Sequence, residues 1–424
     1  MVLYKEDDRY PVMVLKFILS LIICAGMGFL ALLLVYSLPR ENMKKHVFEN
    51  ADFYSDSYML VDGYKSTLLD IYTDTTMLSE VICPSSGRLI SDVMLCPRWR
   101  LLGEENDYQL IANYSNDDEV QVTHVHYPRY WHGYLAILKP LLIFFNVADL
   151  HLIYFFVQSV LLLLIIIGLI KRNQTSLAVC WGIGVLIINP MVTALNFQNA
   201  SIFFTILLSI FFLTYSGKLD ENYLVKRQCF FFFQVIGMLV AYFDFLTYPI
   251  AALGVPLLFL LYFSDTKDAM QRIKYVIFHS VMFFAGYLGM YFCKWGLATL
   301  FTDMNVFKDA YDEIMIMLNA NNVEGAEITI ASGMMKIFSH YIQPPYLLLI
   351  IGGVIYVAVA SRKSKPTRTW FYRNVSVILV AFYPFCHMLA STHSFYHHHF
   401  VYREFVVTVL AVLFVLLDKN NFNS

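Results

Sequence analysis

Ten apolar runs of 15–24 residues recur along this chain and leave few ways to fold it. They lie roughly at 14–37, 149–170, 175–189, 200–215, 229–243, 250–264, 275–297, 345–361, 374–390 and 404–418. A backbone placed in hydrocarbon must satisfy its N–H and C=O groups internally, so runs of this kind read as membrane-crossing helices. The run from Val12 to Val35 is long enough to cross a ~30 Å hydrocarbon core, whereas several others fall short of the ~20 residues that a perpendicular helix needs. The stretch 134–147 (YLAILKPLLIFFNV) is open between a re-entrant helix and an eleventh span. The expected fold is an all-α polytopic membrane protein with about 10 transmembrane helices (10–11), a single unit over 1–424.

Composition agrees. Of 424 residues, 58% are hydrophobic and 15% charged, where a soluble domain sits near one half and one quarter. The 36 Phe and 29 Tyr suit membrane interfaces. A net charge of −2 argues against a nucleic-acid partner, which needs a basic face. The opening MVLYKEDDRY mixes acids and bases, unlike a cleaved signal peptide.

Short loops set the expected orientation, because cytoplasmic loops carry the excess of Lys and Arg. With the N-terminus inside, the inner turns carry Lys171 and Arg172; Lys218, Lys226 and Arg227; Lys267, Arg272 and Lys274; and Arg362, Lys363, Lys365, Arg368 and Arg373. The outer turns 190–199 and 244–249 have no basic residue, and 391–403 has only Arg403. Both termini are therefore expected in the cytoplasm of a multi-pass cell-membrane protein. Two long segments then project outward, 38–148 and 298–344. In the first, Leu60 to Leu78 reads as an amphipathic helix lying on the membrane surface. The second carries acids (Asp303, Asp309, Asp312, Glu313, Glu324, Glu327) and a Met-rich patch, and reads as a lid or an acceptor-recognition loop.

This orientation sorts the unusual polar residues onto one face. Asp70 and Asp74 of LDIYTD, Arg129 and His132 of YPRYWHGY, Asp244 of YFDFLTYP, and STHSFYHHHFVYR (391–403) all fall outside. Asp70 and Asp74 are i, i+4 and repel on a bare helix, so a cation or a basic group pairs with them or water solvates them. The chemical reading is a general base, with a divalent metal (Mg or Mn) as a candidate cofactor; an ordinary wet loop is the competing one. Asp244, among Phe243, Phe245 and Leu246, is expensive unpaired, so substrate contact and pairing with Arg129 or Arg403 both stay open. Arg129 and Arg403 offer forks suited to phosphate, against snorkelling to headgroups. His393 and His397 are i, i+4 and read as phosphate donors or acid/base groups rather than as a full zinc site; His398 and His399 are expected to point elsewhere. The seven cysteines show no metal spacing, but Cys83 and Cys96 share a polar loop where a disulfide is an open option.

Taken together, LDIYTDTTML, RYWHGYLAILKPLL, FDFLTYP and THSFYHHHFVYR resemble the GT-C class of integral-membrane glycosyltransferases, and more narrowly bacterial, mainly Gram-positive, proteins of cell-wall polysaccharide pathways. The resemblance implies a polyprenyl-phosphate-linked sugar donor (undecaprenyl phosphate in bacteria) and an extracytoplasmic glycan acceptor. It implies Asp70 or Asp74 as base, and Arg129, His132, His393, His397 and Arg403 at phosphate or sugar. No Asp-x-Asp or Glu-x-Asp pair follows the first span closely, as it does in the class; SDS (55–57) and LDIYTD stand instead. A polysaccharide polymerase or ligase using lipid-diphosphate-linked glycan would share the same outer site. A lipid-linked sugar flippase would instead place polar groups at mid-bilayer in two related halves, and neither feature is present in the sequence.

Overall fold

The computed structural model describes residues 10–102, 109–116, 121–318, 328–360 and 368–418. Glu324, Glu327, Arg362, Lys363 and Lys365 lie outside them. The described residues are predominantly helical, and helix occupies each of the ten apolar runs. Five helical stretches are long and apolar enough to cross a membrane: Pro11–Tyr36, Val147–Lys171, Phe197–Tyr215, Ala269–Phe301 and His398–Asp418. Thr175–Ile188, Arg227–Phe243, Pro249–Phe263 and Pro344–Tyr356 are shorter and equally apolar.

Local chemistry sets the ends of these helices. Asn146 and Asp149 form a capping box that starts Val147–Lys171, and Asp268 accepts the Met270 and Gln271 N–H groups to start Ala269–Phe301. Arg227–Phe243 and Ala269–Phe301 are the most extensively packed pair. They approach through Gly237 and Gly286, where an added Cβ would sit 2.1 Å from the Phe283 carbonyl oxygen and 2.3 Å from that of Gln234. Without a hydrophobic drive between helices in lipid, such close backbone approach supplies much of the association.

The bundle has two chemically distinct ends. At one, the basic turns are tied down: Arg172 pairs with Asp220, Lys226 with Glu221 at 2.8 Å and Arg373 with Asp418 at 3.3 Å. At the other, the first long segment folds over the bundle with 190–199, 244–249 and 391–403. The convergence of these four stretches, expected from loop charge, is thus present in three dimensions.

One local expectation is corrected, and two open alternatives are narrowed. Residues 60–78 do not form a membrane-surface helix. They make a turn with a Met59–Leu68 bridge, and then a helix, Ile71–Ile82, with ten of its twelve residues buried. The polar Thr and Ser side chains that gave it an amphipathic look are enclosed by protein. The stretch 134–147 holds an eight-residue helix, Leu135–Leu142, with Pro140 inside it. At 1.5 Å per residue it is about 12 Å long, too short to span. Cys83 and Cys96 are both free buried thiols, one 3.5 Å from His124 Nδ1 and the other accepting from the Tyr36 hydroxyl at 3.3 Å.

Candidate functional site: a polar cavity at one end of the bundle

Asn196 locks the first segment onto the bundle. It ends the Pro190–Leu195 helix and precedes Phe197–Tyr215, and it is fully buried. Its Oδ1 accepts the Asp70 N–H at 3.1 Å, and its Nδ2 donates to the Asp70 carbonyl (3.1 Å) and to Asp74 Oδ2 (2.9 Å). This clamp fixes where the Ile71–Ile82 helix begins, and with it the two aspartates.

Those aspartates do different jobs. Asp74 is turned inward and takes the Phe197 and Gln198 N–H groups at 3.1 and 3.2 Å, closing the N-terminus of the Phe197–Tyr215 helix. A carboxylate there satisfies orphan amides and complements the helix dipole. Burial pushes its carboxyl up to about 7 against the pull of Asn196 and those amides. Asp74 does not line the cavity, so its expected place as base is corrected to a structural one. Asp70 caps its own helix, accepting the Thr73 N–H (3.2 Å) and hydroxyl (2.8 Å), and faces the opening. Burial alone would raise its carboxyl, but His399 at 3.3 Å and Thr73 outweigh burial and hold it at about 2. The i, i+4 repulsion is thereby relieved by separate partners rather than by a shared cation.

The cavity measures about 710 Å³. It is lined by Asp70, Thr73, His393, His397 and His399 and by Arg98, Arg100, Tyr127 and Arg129, together with Glu313 and Met317. Arg98 and Arg100 belong to the strand Pro97–Leu101, paired antiparallel with Val122–His126. Residues i and i+2 of a strand share a face, so RWR presents both guanidiniums to one side. Arg129 pairs with Asp309 (3.2 Å) and Glu313 (3.4 Å) of the Val306–Leu318 helix and sits over the Tyr127 ring at 5.1 Å. The long 298–344 segment therefore does reach the cavity, through this helix.

The 391–403 turn is divided by its own geometry. His397 lies between two short helices, Ser391–Tyr396 and His398–Val401. His393 and His397 pack 4.7 Å apart in the wall, and burial lowers both imidazoles, His397 to about 4, so they enter as neutral hydrogen-bonding groups rather than cations. His398 turns away to His340 at 2.8 Å. His399, expected to point elsewhere, instead faces the cavity against Asp70, which corrects that expectation.

Three further expectations are corrected by burial. Arg403 is fully enclosed, and its Nε and Nη1 donate to the carbonyls of Ile188 (2.9 Å) and His399 (2.7 Å). It caps the C-terminus of the Thr175–Ile188 helix and positions His399; it does not reach the cavity. Asp244 is also buried, accepting the Thr247 N–H (2.8 Å) and hydroxyl (2.5 Å), with burial raising its carboxyl to about 7. Of that motif only Phe245 lines the cavity. His132 lies behind the wall, beside Glu80 and Tyr134.

Two other hollows adjoin this site. A groove of about 540 Å³ with an almost wholly apolar lining, including Met77, Tyr134, Phe197, Phe204 and Phe243, opens on the side of the bundle. Met77 and Phe197 of this groove follow and precede Thr76 and Gln198 of the polar cavity in the chain. A wider groove of about 1410 Å³ lies across the two-stranded hairpin and shares His126 with the cavity. No family model, curated protein or solved structure matches this chain, so the cavity itself has to carry the functional reading.

Proposed function

We propose that the chain is a membrane glycosyltransferase of GT-C type, with ten spans and both termini in the cytoplasm, that moves a sugar from a polyprenyl-phosphate-linked donor to an extracytoplasmic surface glycan. One observation carries this reading: a carboxylate–imidazole pair and three arginines line the same cavity, and the bundle also carries an apolar groove. An isoprenoid chain in the groove would bring its phosphate to the level of Arg98, Arg100 and Arg129, whose forks suit phosphate oxygens. The wider groove across the hairpin gives a polar glycan a route from the aqueous side.

The roles follow from chemistry. A carboxyl held at about 2 is a poor proton acceptor at neutral pH, whereas imidazole is the side chain whose ordinary range lies nearest neutrality. Asp70 therefore orients His399, and His399 takes the proton from the acceptor hydroxyl. The acceptor oxygen bonds to the anomeric carbon, the bond from that carbon to the phosphate oxygen breaks, and the arginines stabilise the departing phosphate. Neutral His393 and His397 hydrogen-bond the sugar. The Asp309–Glu313 pairs on Arg129 must loosen as the phosphate arrives, which makes the Val306–Leu318 helix a natural cover.

The test is transfer from synthetic polyprenyl-phosphate sugar by purified protein, with His399→Gln and Arg100→Gln as variants. Product formed by wild type and lost in His399→Gln supports the reading. Movement of the lipid-linked sugar across proteoliposomes without covalent product would refute it.

A further inference from the structure

Behind the cavity wall lies a second cluster that the proposed transfer does not use. Glu80 of the Ile71–Ile82 helix, Cys96 after the Leu89–Leu95 helix and His132 bring a carboxylate oxygen, a thiol and an imidazole nitrogen within 4.8 Å of one another, all buried. His132 Nε2 lies 2.6 Å from the Tyr127 carbonyl, which only accepts, so that nitrogen carries the proton. Nδ1 then points its lone pair at the Tyr134 hydroxyl (2.8 Å) and at Glu80 Oε2 (3.3 Å). The single Tyr134 hydroxyl proton is donated to Glu80. Two acceptors thus face each other without a proton between them, and Glu80 Oε1 is buried without a hydrogen-bond partner among the described residues.

A proton on His132 would fill one side of that gap but leave Glu80 Oε1 unserved and the thiol irrelevant. The backbone is built around all three groups. Cys96 (φ +44°) and His132 (φ +56°) both take the left-handed conformation, which costs a residue with a side chain about 1–2 kcal/mol. Only six non-glycine residues among those described do so. Lys139 and Lys294 are buried nearby, over the rings of Tyr36 (4.6 Å) and Trp131 (5.8 Å). They would oppose a bare added cation. A divalent ion that displaces the thiol proton adds a single positive charge, set against the Glu80 carboxylate.

We propose that Glu80, Cys96 and His132 bind a thiophilic divalent cation, zinc in the first instance, as a structural site tying three parts of the first long segment to one another. A tetrahedral zinc with bonds of ~2.0–2.3 Å holds its ligands ~3.3–3.8 Å apart. The imidazole–carboxylate separation already meets this, and the sulfur has at most about 1 Å to travel. The carbonyl on Nε2 fixes the ligating tautomer, as outer partners of metal-bound histidines do. The Tyr134 hydroxyl stands beside both Nδ1 and Oε2 as an outer partner.

The test uses the full chain in detergent, purified without a polyhistidine tag. Its zinc content is measured, and the metal-free protein is titrated with Co²⁺. The expected result is about one zinc per chain and a thiolate-to-cobalt charge-transfer band. Cys96→Ser removes that band, Cys83→Ser keeps it, and Tyr134→Phe weakens cobalt binding 10–100-fold. A monodisperse wild-type protein that holds no zinc and gives no band overturns the proposal, as does a band that survives Cys96→Ser. Should Cys96→Ser fail to fold, loss of the band in Cys83→Ser overturns it equally, since the sulfur would then be the wrong one.

Discussion

Replacing Asn196 by Ala tests how the candidate site is held together. Its side chain makes four hydrogen bonds: to Asp70 N and O, to Asp74 Oδ2, and from Asn199 Nδ2 at 2.9 Å. Three neutral bonds at ~0.5–1.5 kcal/mol and one to a carboxylate at ~1.5–3 give at least about 3 kcal/mol. The loss falls on the junction between the Ile71–Ile82 helix and the bundle, because the substituted residue is fully buried and the groups it served have no water to turn to. At about 1.4 kcal/mol per factor of ten, amide exchange across 71–82 accelerates roughly a hundredfold or more. Hydrogen exchange read by mass spectrometry on detergent-solubilised protein measures this directly. The control is Asn374→Ala, which breaks the 2.9 Å bond to Asp418 at the opposite end and leaves 71–82 unchanged. If Asn196→Ala leaves exchange in 71–82 within a few-fold of wild type, the clamp is not what seats this helix, and the separate roles given to Asp70 and Asp74 lose their basis.

Other outcomes follow from the same geometry. Asp70→Asn lowers the transfer rate constant by ~10²–10⁴ with little change in KM for the donor, since it removes the partner that orients His399. The Asp70 carboxyl lies at about 2 against an ordinary 3.8, worth about 2 kcal/mol of stability. Being a depressed carboxylate, it contributes fully above pH 4 and loses that contribution as the pH falls from about 4 to 2; denaturant unfolding of wild type and Asp70→Asn should therefore differ by a constant amount from pH 7 to 5, and the gap should narrow below pH 4. Arg98→Gln and Arg100→Gln each raise donor KM more than they lower the rate constant, read by initial rates over donor concentration. Gly286→Leu drives a side chain into the Gln234 carbonyl and costs at least ~1–3 kcal/mol, seen as a lower thermal midpoint and loss of the monodisperse peak.

Much of the architecture is legible before any coordinates, because hydrocarbon tolerates few solutions. Each apolar run became a helix, and the charge asymmetry of the short loops sorted the polar motifs onto one end. The site itself was legible only by neighbourhood. Spacing from His393 to His397 assumes one unbroken helix through 391–403, but the break at His397 resets the phase and brings His399 to Asp70. Asp70 and Asp74 look alike in LDIYTD; their difference is made by Asn196, which is 122 residues from Asp74. Arg403 and Asp244 carry charge in apolar surroundings, which reads as function, yet Arg403 donates to the Ile188 and His399 carbonyls and Asp244 accepts from Thr247. Arg98 and Arg100 did leave a signal, the alternation in RWR, which reads as a strand once the helical background is set aside.

The Asp70–His399 contact joins residues 329 positions apart, with Arg98, Arg100, Arg129 and the Val306–Leu318 helix also lining the cavity. At ~5–20 residues per second of synthesis, Asp70 leaves the ribosome roughly 16–66 seconds before its imidazole partner exists. For the first 126 residues of that interval the Ile71–Ile82 helix has neither partner, and after that it has Asn196 but no His399. The Asp70–His399 pair therefore forms late, and a chain stopped before His398 holds the helices up to that point while lacking this pair altogether.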